Sequence, residues 1–363
     1  TTDITKLAPY DYLQATDKNR GKAAFDDKGN VRVKGTTDPW IGGNPFPNPA
    51  NAQEIVAPLS LSWGRHDQLL FCIKQTQLDG HSNPTYHYEF CWVEIQGTGR
   101  TTLAPTPYRD REILRWNTAF FSSPTDVAGT SFLNTWPYDA TQYPELHGFI
   151  PTFKRIRRFS TTQRFDPMVP GSTAYLSDAW TMGDPYLTWG NYKVVRHGPC
   201  LGAVADNWNW KDANWDRTPT SGPNGKKRFF DTTMELIPEA YVIDCEPVKY
   251  PRAPYSRKRI WIDARSGCPL TMITYDRRGA MYKHWESASD YYDARDKGGS
   301  AFMEPTGHPM WSWVHVHCTD LQTNDVGLLW LARTMQGGYE TKMNDPSLYD
   351  TYCTEQALLQ LGA

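Results

Sequence analysis

The amino-acid sequence predicts a mainly β (α+β) protein, in which one open or partly closed antiparallel sheet curls around a few helices. Three observations lead to this class. Two consecutive hairpins can be read between Arg257 and Trp285, helical periodicity is scarce, and no β-α-β alternation or fixed repeat is present. The last two observations exclude doubly wound sheets, TIM barrels and propellers.

The double hairpin is the clearest element. In its first strand, branched apolar residues alternate with Arg, Trp and Asp, so that one face of the strand can be buried. Residues 264–267 close the first hairpin and residues 276–279 the second, and each turn ends in a Gly that can adopt a positive φ. The pattern predicts that Trp261, Tyr275 and Trp285 lie on adjacent antiparallel strands.

The rest of the chain gives weaker signals. Residues 1–50 are rich in Pro and Gly and are expected to form an irregular N-terminal extension, and residues 51–363 a single curved-sheet domain. A helix is expected over residues 51–62, limited by Pro58. A loop-rich stretch is expected up to Gly148. Strand-like runs occupy residues 69–75, 86–95, 153–159, 188–195, 228–236, 240–245 and 311–318.

Composition limits the classes of function. The formal net charge of −2 and the pI near 6.5 argue against a nucleic-acid partner. No apolar run approaches the length that spans a bilayer. A chain that starts at Thr1 without an initiating Met suggests a precursor whose signal peptide has been removed.

Seven cysteines point in the same direction, because an exported chain can form disulfides. Cys72 and Cys91 lie on two strand-like runs at nearly equal distances from the turn between them. A cross-strand disulfide and two buried free thiols are both compatible with this arrangement. No CxxC motif is present, which excludes thioredoxin chemistry and zinc ribbons.

The aromatic content is high for a chain with a mean hydropathy of −0.63: 15 Trp, 20 Tyr and 14 Phe. Such side chains either fill the core of a large β protein or line an apolar cavity on the inner face of the curled sheet. We expect a cavity large enough for a ligand. The polar loop around residues 207–216 carries Trp208, Trp210 and Trp215, which we expect to cover the cavity mouth or to bind a partner.

The last predicted strand holds the sharpest local pattern. Strict alternation would place Trp311, Trp313, His315 and His317 on one face. Two imidazoles at positions i and i+2 can bind zinc or copper, but the sequence supplies no spaced third ligand. We therefore expect the histidines to line a cavity or to form hydrogen bonds, with no bound metal and no cofactor.

Two further patterns suggest chemistry less specifically. Residues 198–202 match the G-x-nucleophile-x-G elbow of hydrolases with Cys200 as nucleophile, although no parallel sheet is predicted around them. Basic residues cluster in residues 154–158, 257–259 and 277–278, where a solvated sheet face balanced by carboxylates such as Asp263 is expected. Contact with anionic lipid head groups is the alternative.

Several segments carry a resemblance to a known family. They are the GGNPFP element at 42–47, the arginine-rich run at 153–158, the Gly-Ser segment before an acidic position at 171–178, the ID-turn-YDRRG-W pattern of the double hairpin, and the C-terminal helix at 354–362. Within the third segment, Thr173 and Ser177 replace acidic residues expected there. The chain resembles a periplasmic family of unknown function described as outer-membrane lipoprotein-sorting-like, the domain of unknown function 1329. Its fold is related to the LolA, LolB and LppX lipid carriers.

The resemblance implies a strongly curved half-barrel with helices on its concave side. It also implies a periplasmic carrier, possible outer-membrane association, a hydrophobic or lipid-like ligand, and membrane transporter or envelope-complex subunits as partners. The alternatives are a metal- or Cys-dependent enzyme acting on a hydrophobic substrate, and a structural subunit of an envelope assembly. Expected ligand-binding residues are Trp261, Tyr275, Trp285, Trp311, Trp313, His315 and His317.

Overall fold

The computed structural model describes residues 1–63, 65–103, 113–205, 214–216, 218–292 and 307–362. Strands dominate these residues. The strands are β1 Ala23–Phe25, β2 Val31–Val33, β3 Gln68–Leu78, β4 Pro84–Gln96, β5 Ile113–Ser123, β6 Ser131–Pro137, β7 Glu145–Ile150, β8 Arg155–Phe159, β9 Gly190–Val204, β10 Thr220–Ser221, β11 Phe229–Phe230, β12 Thr233–Glu246, β13 Tyr255–Asp263, β14 Pro269–Asp276, β15 Met281–Tyr291, β16 Trp311–Asp320, β17 Val326–Ala332, β18 Thr334–Met335, β19 Tyr339–Glu340 and β20 Lys342–Met343. The α-helices are α1 Tyr10–Lys18, α2 Ala52–Leu61, α3 Leu348–Tyr352 and α4 Glu355–Leu361.

One large antiparallel sheet organises the molecule. Its strands run in the order β9-β12-β13-β14-β15-β16-β17-β3-β4-β5-β6-β7-β8, with β20 added beside β3. A single parallel bridge between Val204 of β9 and Ser289 of β15 links one end of this row back to its middle. The mainly β class and the curved antiparallel sheet are thus confirmed.

The double hairpin is also confirmed. Strands β13, β14 and β15 pair in sequence, and the register aligns Trp261 with Thr271 and Met272 with Trp285. Gly267 and Gly279 have φ of 69° and 83°, which only a glycine adopts without strain in these turns. Alternation along β13 therefore predicted the strand pairing correctly.

The two faces of the sheet are covered by different parts of the chain. On the concave face, side chains from β3, β4 and β15–β17 form one core with residues of the connection between β8 and β9. We call residues 160–189 of this connection the plug segment; it contains three short 3-10 turns, Thr161–Phe165, Leu176–Thr181 and Tyr186–Thr188. Helix α2 packs beside the plug segment. On the convex face, α3 and α4 cover β3–β7.

Helix α2 forms where the sequence predicted it. The Asn51 side chain caps its first turn by accepting a hydrogen bond from the Glu54 backbone N–H, at 3.1 Å. Pro58 lies within the helix, and the chain leaves helical geometry at Ser62. Among the described residues, no helix combines the length and the apolar character needed to cross a bilayer.

The structure corrects three expectations about local structure. The first 50 residues are not irregular throughout, because they contain α1 and the β1–β2 hairpin. Only Tyr12 and Thr16 of α1 are buried, so its sequence carries little helical periodicity. Strands β6 and β7 occupy part of the stretch expected to be loop-rich. Strand β17 was missed because it is covered on both faces and reads as a continuous apolar run.

Cys72 and Cys91 are directly opposite each other on β3 and β4, and both are free thiols. Six of the seven cysteines are buried, and only Cys200 is partly exposed. We expect a thiol reagent to modify one cysteine in the native protein and seven after denaturation, because burial blocks access to the others. Replacing Cys200 by Ser should abolish the native reaction. Rapid modification of a second cysteine would show that the described packing opens readily.

Candidate functional site

An apolar cavity lies between the concave face of the sheet and the plug segment. Its volume is about 100 Å³, whereas drug-sized ligands occupy pockets of about 300–1,000 Å³. Aromatic and aliphatic side chains dominate the walls. The sheet contributes Phe71, Phe90, Trp92, Trp285, Trp313 and Leu329, and the plug segment contributes Met168, Leu176, Ala179 and Trp180. An aromatic-lined cavity is present as expected, but the expectation of a volume large enough for a ligand was wrong, because about 100 Å³ cannot hold a whole lipid.

The plug segment contributes a strained piece of backbone to the cavity wall. Trp180 and Thr181 have φ of 50° and 65°, in the left-handed region that bulky and β-branched residues rarely adopt. The Trp180 ring meets the Trp313 ring edge to face, with centroids 6.2 Å apart. Phe71 contacts the same Trp313 ring at 6.0 Å. Trp313 therefore connects the sheet wall of the cavity to its plug wall.

A second cleft, of about 1,000 Å³, lies between the N-terminal hairpin and strands β6–β8. It is larger but differs in chemistry, because charged side chains such as Lys28, Arg32, Asp139 and Arg158 line it. Lys28 pairs with Asp139 at 2.9 Å. A hydrophobic ligand is therefore better matched by the smaller cavity.

The structure places only two of the seven expected ligand-binding residues in the cavity wall, Trp285 and Trp313. Trp311 lies in a separate cluster with the N-terminal segment, where its indole N–H donates to the Lys6 carbonyl at 3.0 Å. Trp261 is on the outer face, because its neighbours Ile260 and Ile262 point into the core. Tyr275 is also outside the cavity, with the Arg257 guanidinium 3.8 Å from its ring centroid.

A β-bulge explains why the histidines of β16 are not in the cavity either. Ala288 of β15 pairs with His315, while the next residue, Ser289, pairs with Trp313, so Val314 is an extra residue in β16. The extra residue shifts the alternation by one position. Trp313 and Val316 consequently line the cavity, and His315 and His317 face the opposite side of the sheet. The expectation of a single shared face was wrong.

On that opposite side the histidines pack against the β10–β11 hairpin. His315 stacks on Phe230 with ring centroids 4.4 Å apart, and the Nε2 atom of His317 accepts a hydrogen bond from the Phe230 backbone N–H at 2.5 Å. The Nδ1 atom of His317 is 3.8 Å from the Glu286 carboxylate. Within the part of the chain that the structure describes, no group of three or more His, Cys, Asp or Glu side chains is arranged to hold a metal ion.

His315 should destabilise the protein in acid. Neither ring nitrogen has a hydrogen-bond partner among the described residues, and burial lowers its pKa to about 3. The unfolded chain, with a pKa near 6.5, binds a proton that the folded state rejects, so stability falls as the pH drops below about 6.5. The expected loss at pH 5 is about 2 kcal/mol.

Replacing His315 by Leu should remove that loss, with little change near pH 8 because no hydrogen bond is broken. Urea unfolding at pH 5 and pH 8 measures the effect, and His81→Leu, at an exposed turn, is the control. Equal pH dependence in the wild type and the His315→Leu variant would contradict the burial argument.

Only one of the three tryptophans of the expected loop lies within the described residues. Trp208 and Trp210 lie outside the described residues. Trp215 is 9% exposed, and its ring packs edge to face against Tyr292 at 4.7 Å. Its side chain belongs to the core on the concave side and is not displayed to a partner.

A buried charge cluster beside the cavity was not predicted. It comprises Arg164, Asp178, Asp184, Lys258 and Lys283, each at most 1% exposed. Asp178, in the plug segment, lies between two lysines of the sheet: its carboxylate oxygens are 3.8 Å from Lys258 Nζ and 3.7 Å from Lys283 Nζ. The Tyr255 hydroxyl donates to the same carboxylate, at 2.9 Å.

Neighbouring strands position the two lysines. Lys258 of β13 and Lys283 of β15 both pair with Thr274 of the intervening β14, so the two cations project from the concave face on either side of β14. Lys283 also donates to the Thr173 carbonyl at 2.6 Å, and its ammonium lies 2.9 Å from the Tyr175 ring centroid. Burial lowers the pKa of Lys283.

The other half of the cluster anchors the plug segment. Arg164 donates to Asp184 at 2.6 Å and to Asn134 of β6 at 2.8 Å. Asp184 also accepts hydrogen bonds from Ser177 and from the Trp189 indole. The Arg164 guanidinium nearby holds the pKa of Asp184 below its usual range despite burial. The plug segment is thus held by ionic contacts as well as by apolar packing.

The sequence did contain a signal for the lysines. Lys258 is two and four residues from Ile260 and Ile262 on one strand, and therefore shares their face. Lys283 shares a face with Trp285 in the same way, so both lysines belong to buried faces. Assigning Lys258 to a solvated basic face was therefore wrong. Asp263 is likewise fully buried, and it accepts hydrogen bonds from Arg265.

Cys200 does not occupy a nucleophile elbow. It lies inside the long strand β9, paired with Ile237 of the antiparallel neighbour β12. Partial burial raises the pKa of its thiol, which disfavours the reactive thiolate. The strand-to-helix turn that exposes a nucleophile in hydrolases is therefore replaced by antiparallel strand pairing.

Comparison with protein families assigns the chain. The model of a family described as "Protein of unknown function (DUF1329)" matches residues 1–358. This chain belongs to the DUF1329 family. The resemblance noted in the sequence is thus confirmed. No curated protein matches this chain significantly.

Solved structures share this fold. A putative outer membrane lipoprotein-sorting protein domain from Vibrio parahaemolyticus aligns with a TM-score of 0.52 at 14% identity, covering 85% of this chain and all of that one. A DUF1329 family protein from Desulfovibrio piger aligns with a TM-score of 0.52 at 14% identity, covering 84% and 95%. At these identities the likeness shows that the present chain shares the fold of both structures. A LolA superfamily protein from Nitrosomonas europaea reaches a TM-score of 0.44 at 13% identity, covering 82% of this chain and 95% of that one.

Proposed function

We propose that this DUF1329 protein is a periplasmic carrier that binds a hydrophobic, lipid-like ligand between the sheet and the plug segment. It would pass the ligand to or from a membrane transport or envelope complex. The observation that carries the proposal is the apolar cavity on the concave face, lined by Trp285, Trp313 and Trp180.

The chemistry of the walls favours such a ligand. Large aromatic rings offer apolar area with few rotatable bonds, so binding an alkyl chain costs little side-chain entropy. Polar groups are scarce, and the hydroxyl residues in the lining are Tyr175, Thr181, Thr271 and Ser287. A ligand held by contact and exclusion of water can be released unchanged, as a carrier requires.

The small cavity volume makes movement of the plug segment part of the proposal. A ligand with a long alkyl chain needs more room than about 100 Å³. The sheet strands are tied together by continuous ladders, whereas the plug segment has only short 3-10 turns and strained residues at Trp180 and Thr181. The plug segment is therefore the wall that would shift when a ligand enters.

Catalysis is a weaker alternative. Cys200 is embedded in a strand with a raised thiol pKa, and His315 and His317 face away from the cavity. The relative described as a putative outer membrane lipoprotein-sorting protein domain shares the fold, which supports a sorting or carrier role in the cell envelope.

Two experiments test the proposal. Native mass spectrometry of gently purified protein should show co-purified lipid-like mass that is lost on organic extraction. Titration of the extracted protein with the neutral probe N-phenyl-1-naphthylamine should then show saturable binding.

Ala179→Trp, which fills the cavity, should weaken probe binding at least about tenfold. Ala264→Trp, in the β13–β14 turn away from the cavity, is the matched control and should leave binding unchanged. Equal affinity in the two variants would place any bound probe elsewhere and reject the cavity as the carrier site.

A further inference from the structure

The apolar cavity and the buried charge cluster share a wall. Lys283 is two residues from the cavity residue Trp285 on the same strand and on the same face. In the plug segment, Tyr175 and Leu176 line the cavity, and Asp178 contacts the lysines. The hydrophobic site thus ends beside two cations.

The cluster contains more positive than negative charge. Three cations, Arg164, Lys258 and Lys283, face two carboxylates, Asp178 and Asp184. Among the described residues, other titratable groups around Lys283 are Tyr175, Tyr255, Tyr282, the buried thiol of Cys318 and the part-exposed Asp320, a third carboxylate that lies opposite Lys283 on β16. Asp178 provides the carboxylate that both lysines contact.

Entry of a ligand would disturb this arrangement. The plug segment carries both the cavity wall and Asp178, so a shift that widens the cavity draws the carboxylate away from Lys258 and Lys283. Buried ammonium groups without a counter-charge are unfavourable in a low-dielectric interior. A neutral ligand leaves that penalty in place, whereas an anionic group on the ligand can replace the carboxylate of Asp178.

We propose that the ligand is an amphiphile with an anionic head group, a carboxylate or a phosphate, that binds Lys258 and Lys283 in place of Asp178. The alkyl chain lies in the cavity against Trp285 and Trp313. This inference rests on the proposed carrier function and narrows its ligand class. Asp178 acts as an internal competitor that occupies the head-group site when the protein is empty.

Ligands with one alkyl chain and different head groups test the idea on the full, lipid-extracted protein. Displacement of N-phenyl-1-naphthylamine is measured with dodecanoate, dodecyl phosphate, dodecanol and dodecyltrimethylammonium. At least one anionic compound should bind about tenfold or more tightly than dodecanol, and the ammonium compound should bind most weakly. Comparing dodecanoate with dodecyl phosphate tells whether the head group is a carboxylate or a phosphate.

Two variants test whether Lys283 and Asp178 determine the preference for anionic ligands. Lys283→Met keeps the length of the side chain and removes its charge; it should reduce the preference for anions about tenfold while dodecanol binding changes by less than about twofold. Asp178→Asn keeps the shape of the carboxylate and removes the competing charge, so it should bind the anions more tightly than the wild type. Circular dichroism establishes that each variant is folded.

The affinities of the wild-type protein for the four dodecyl compounds test the anionic head group even if a variant does not fold. Equal affinity for dodecanol and both anions, or tightest binding of the ammonium compound, overturns the anionic head group and leaves the carrier function standing. Failure of all four compounds and of the neutral probe to bind rejects the carrier function itself. Unchanged anion preference in folded Lys283→Met removes Lys283 from the head-group site and overturns the inference.

Discussion

Replacing Asp178 by Ala is expected to lower the free energy of unfolding by about 3–5 kcal/mol. The carboxylate is fully buried and lies between Lys258 and Lys283, which are also buried. Its removal leaves two ammonium groups facing each other without the shared counter-charge, and it also removes the acceptor of the Tyr255 hydroxyl. A buried charge that loses its partner has the full desolvation penalty uncompensated.

The loss in free energy of unfolding of the Asp178→Ala variant should become smaller as the pH rises toward 10. In the variant, burial without the Asp178 carboxylate lowers the pKa of Lys283 further below the value in the unfolded chain, so the unfolded state binds more protons and stability increases with pH. Urea unfolding between pH 7 and pH 10 measures both effects. Asp17→Ala breaks an ion pair with Arg20 that is exposed at the surface, and the change should stay below about 1 kcal/mol. A loss for Asp178→Ala as small as that of the control would show that the lysines are hydrated or neutral in the folded protein.

The second large effect is expected for Arg115→Ala, which should also cost about 3–5 kcal/mol. Arg115 is fully buried between two indole rings, 4.4 Å from the Trp63 centroid and 4.9 Å from the Trp136 centroid. Its Nη1 donates to the Glu94 carboxylate at 3.2 Å, and burial lowers its pKa to about 10. The substitution removes the cation facing Glu94 and leaves a hole between the two rings.

A double variant separates charge from packing. Arg115→Met combined with Glu94→Gln removes both charges but retains most of the volume, and it should recover more than half of the loss measured for Arg115→Ala. Arg158→Ala, at an exposed pair with Glu145, is the control for removing a surface arginine. A double variant as unstable as Arg115→Ala would assign the effect to the arginine–indole packing.

The local alternation of apolar and polar residues was sufficient to predict strands that have one buried face and one more polar face. Residues 257–285 alternate cleanly and end in turns with Gly267 and Gly279, so their pairing could be predicted. Strand β17 is buried on both faces and carries no alternation, and α1 buries only Tyr12 and Thr16. Elements of these two kinds lack the period on which pattern reasoning depends.

The site was harder to predict because it depends on long-range contacts. Aromatic content indicated a cavity but not which rings line it: Trp285 and Trp313 do, while Trp261 and Tyr275 face outward. The partnership of Asp178 with Lys258 and Lys283 joins residues 80 and 105 positions apart, a separation that composition does not reveal. Alternation could have flagged each lysine as buried, but not its partner.

The extra residue Val314 also has a consequence for mutational scanning of β16. Before it the odd-numbered Trp313 faces the cavity, and after it the even-numbered Val316 does. A scan that introduces charged residues should therefore change parity at this point in its effect on ligand binding: Trp313 is sensitive on the N-terminal side, and Val316, but not His315 or His317, on the C-terminal side. A helical-wheel projection, or a strand projection without the bulge, would average the residues before and after Val314 and hide the change in parity. Such a parity break, seen in substitution data alone, would reveal the bulge without coordinates.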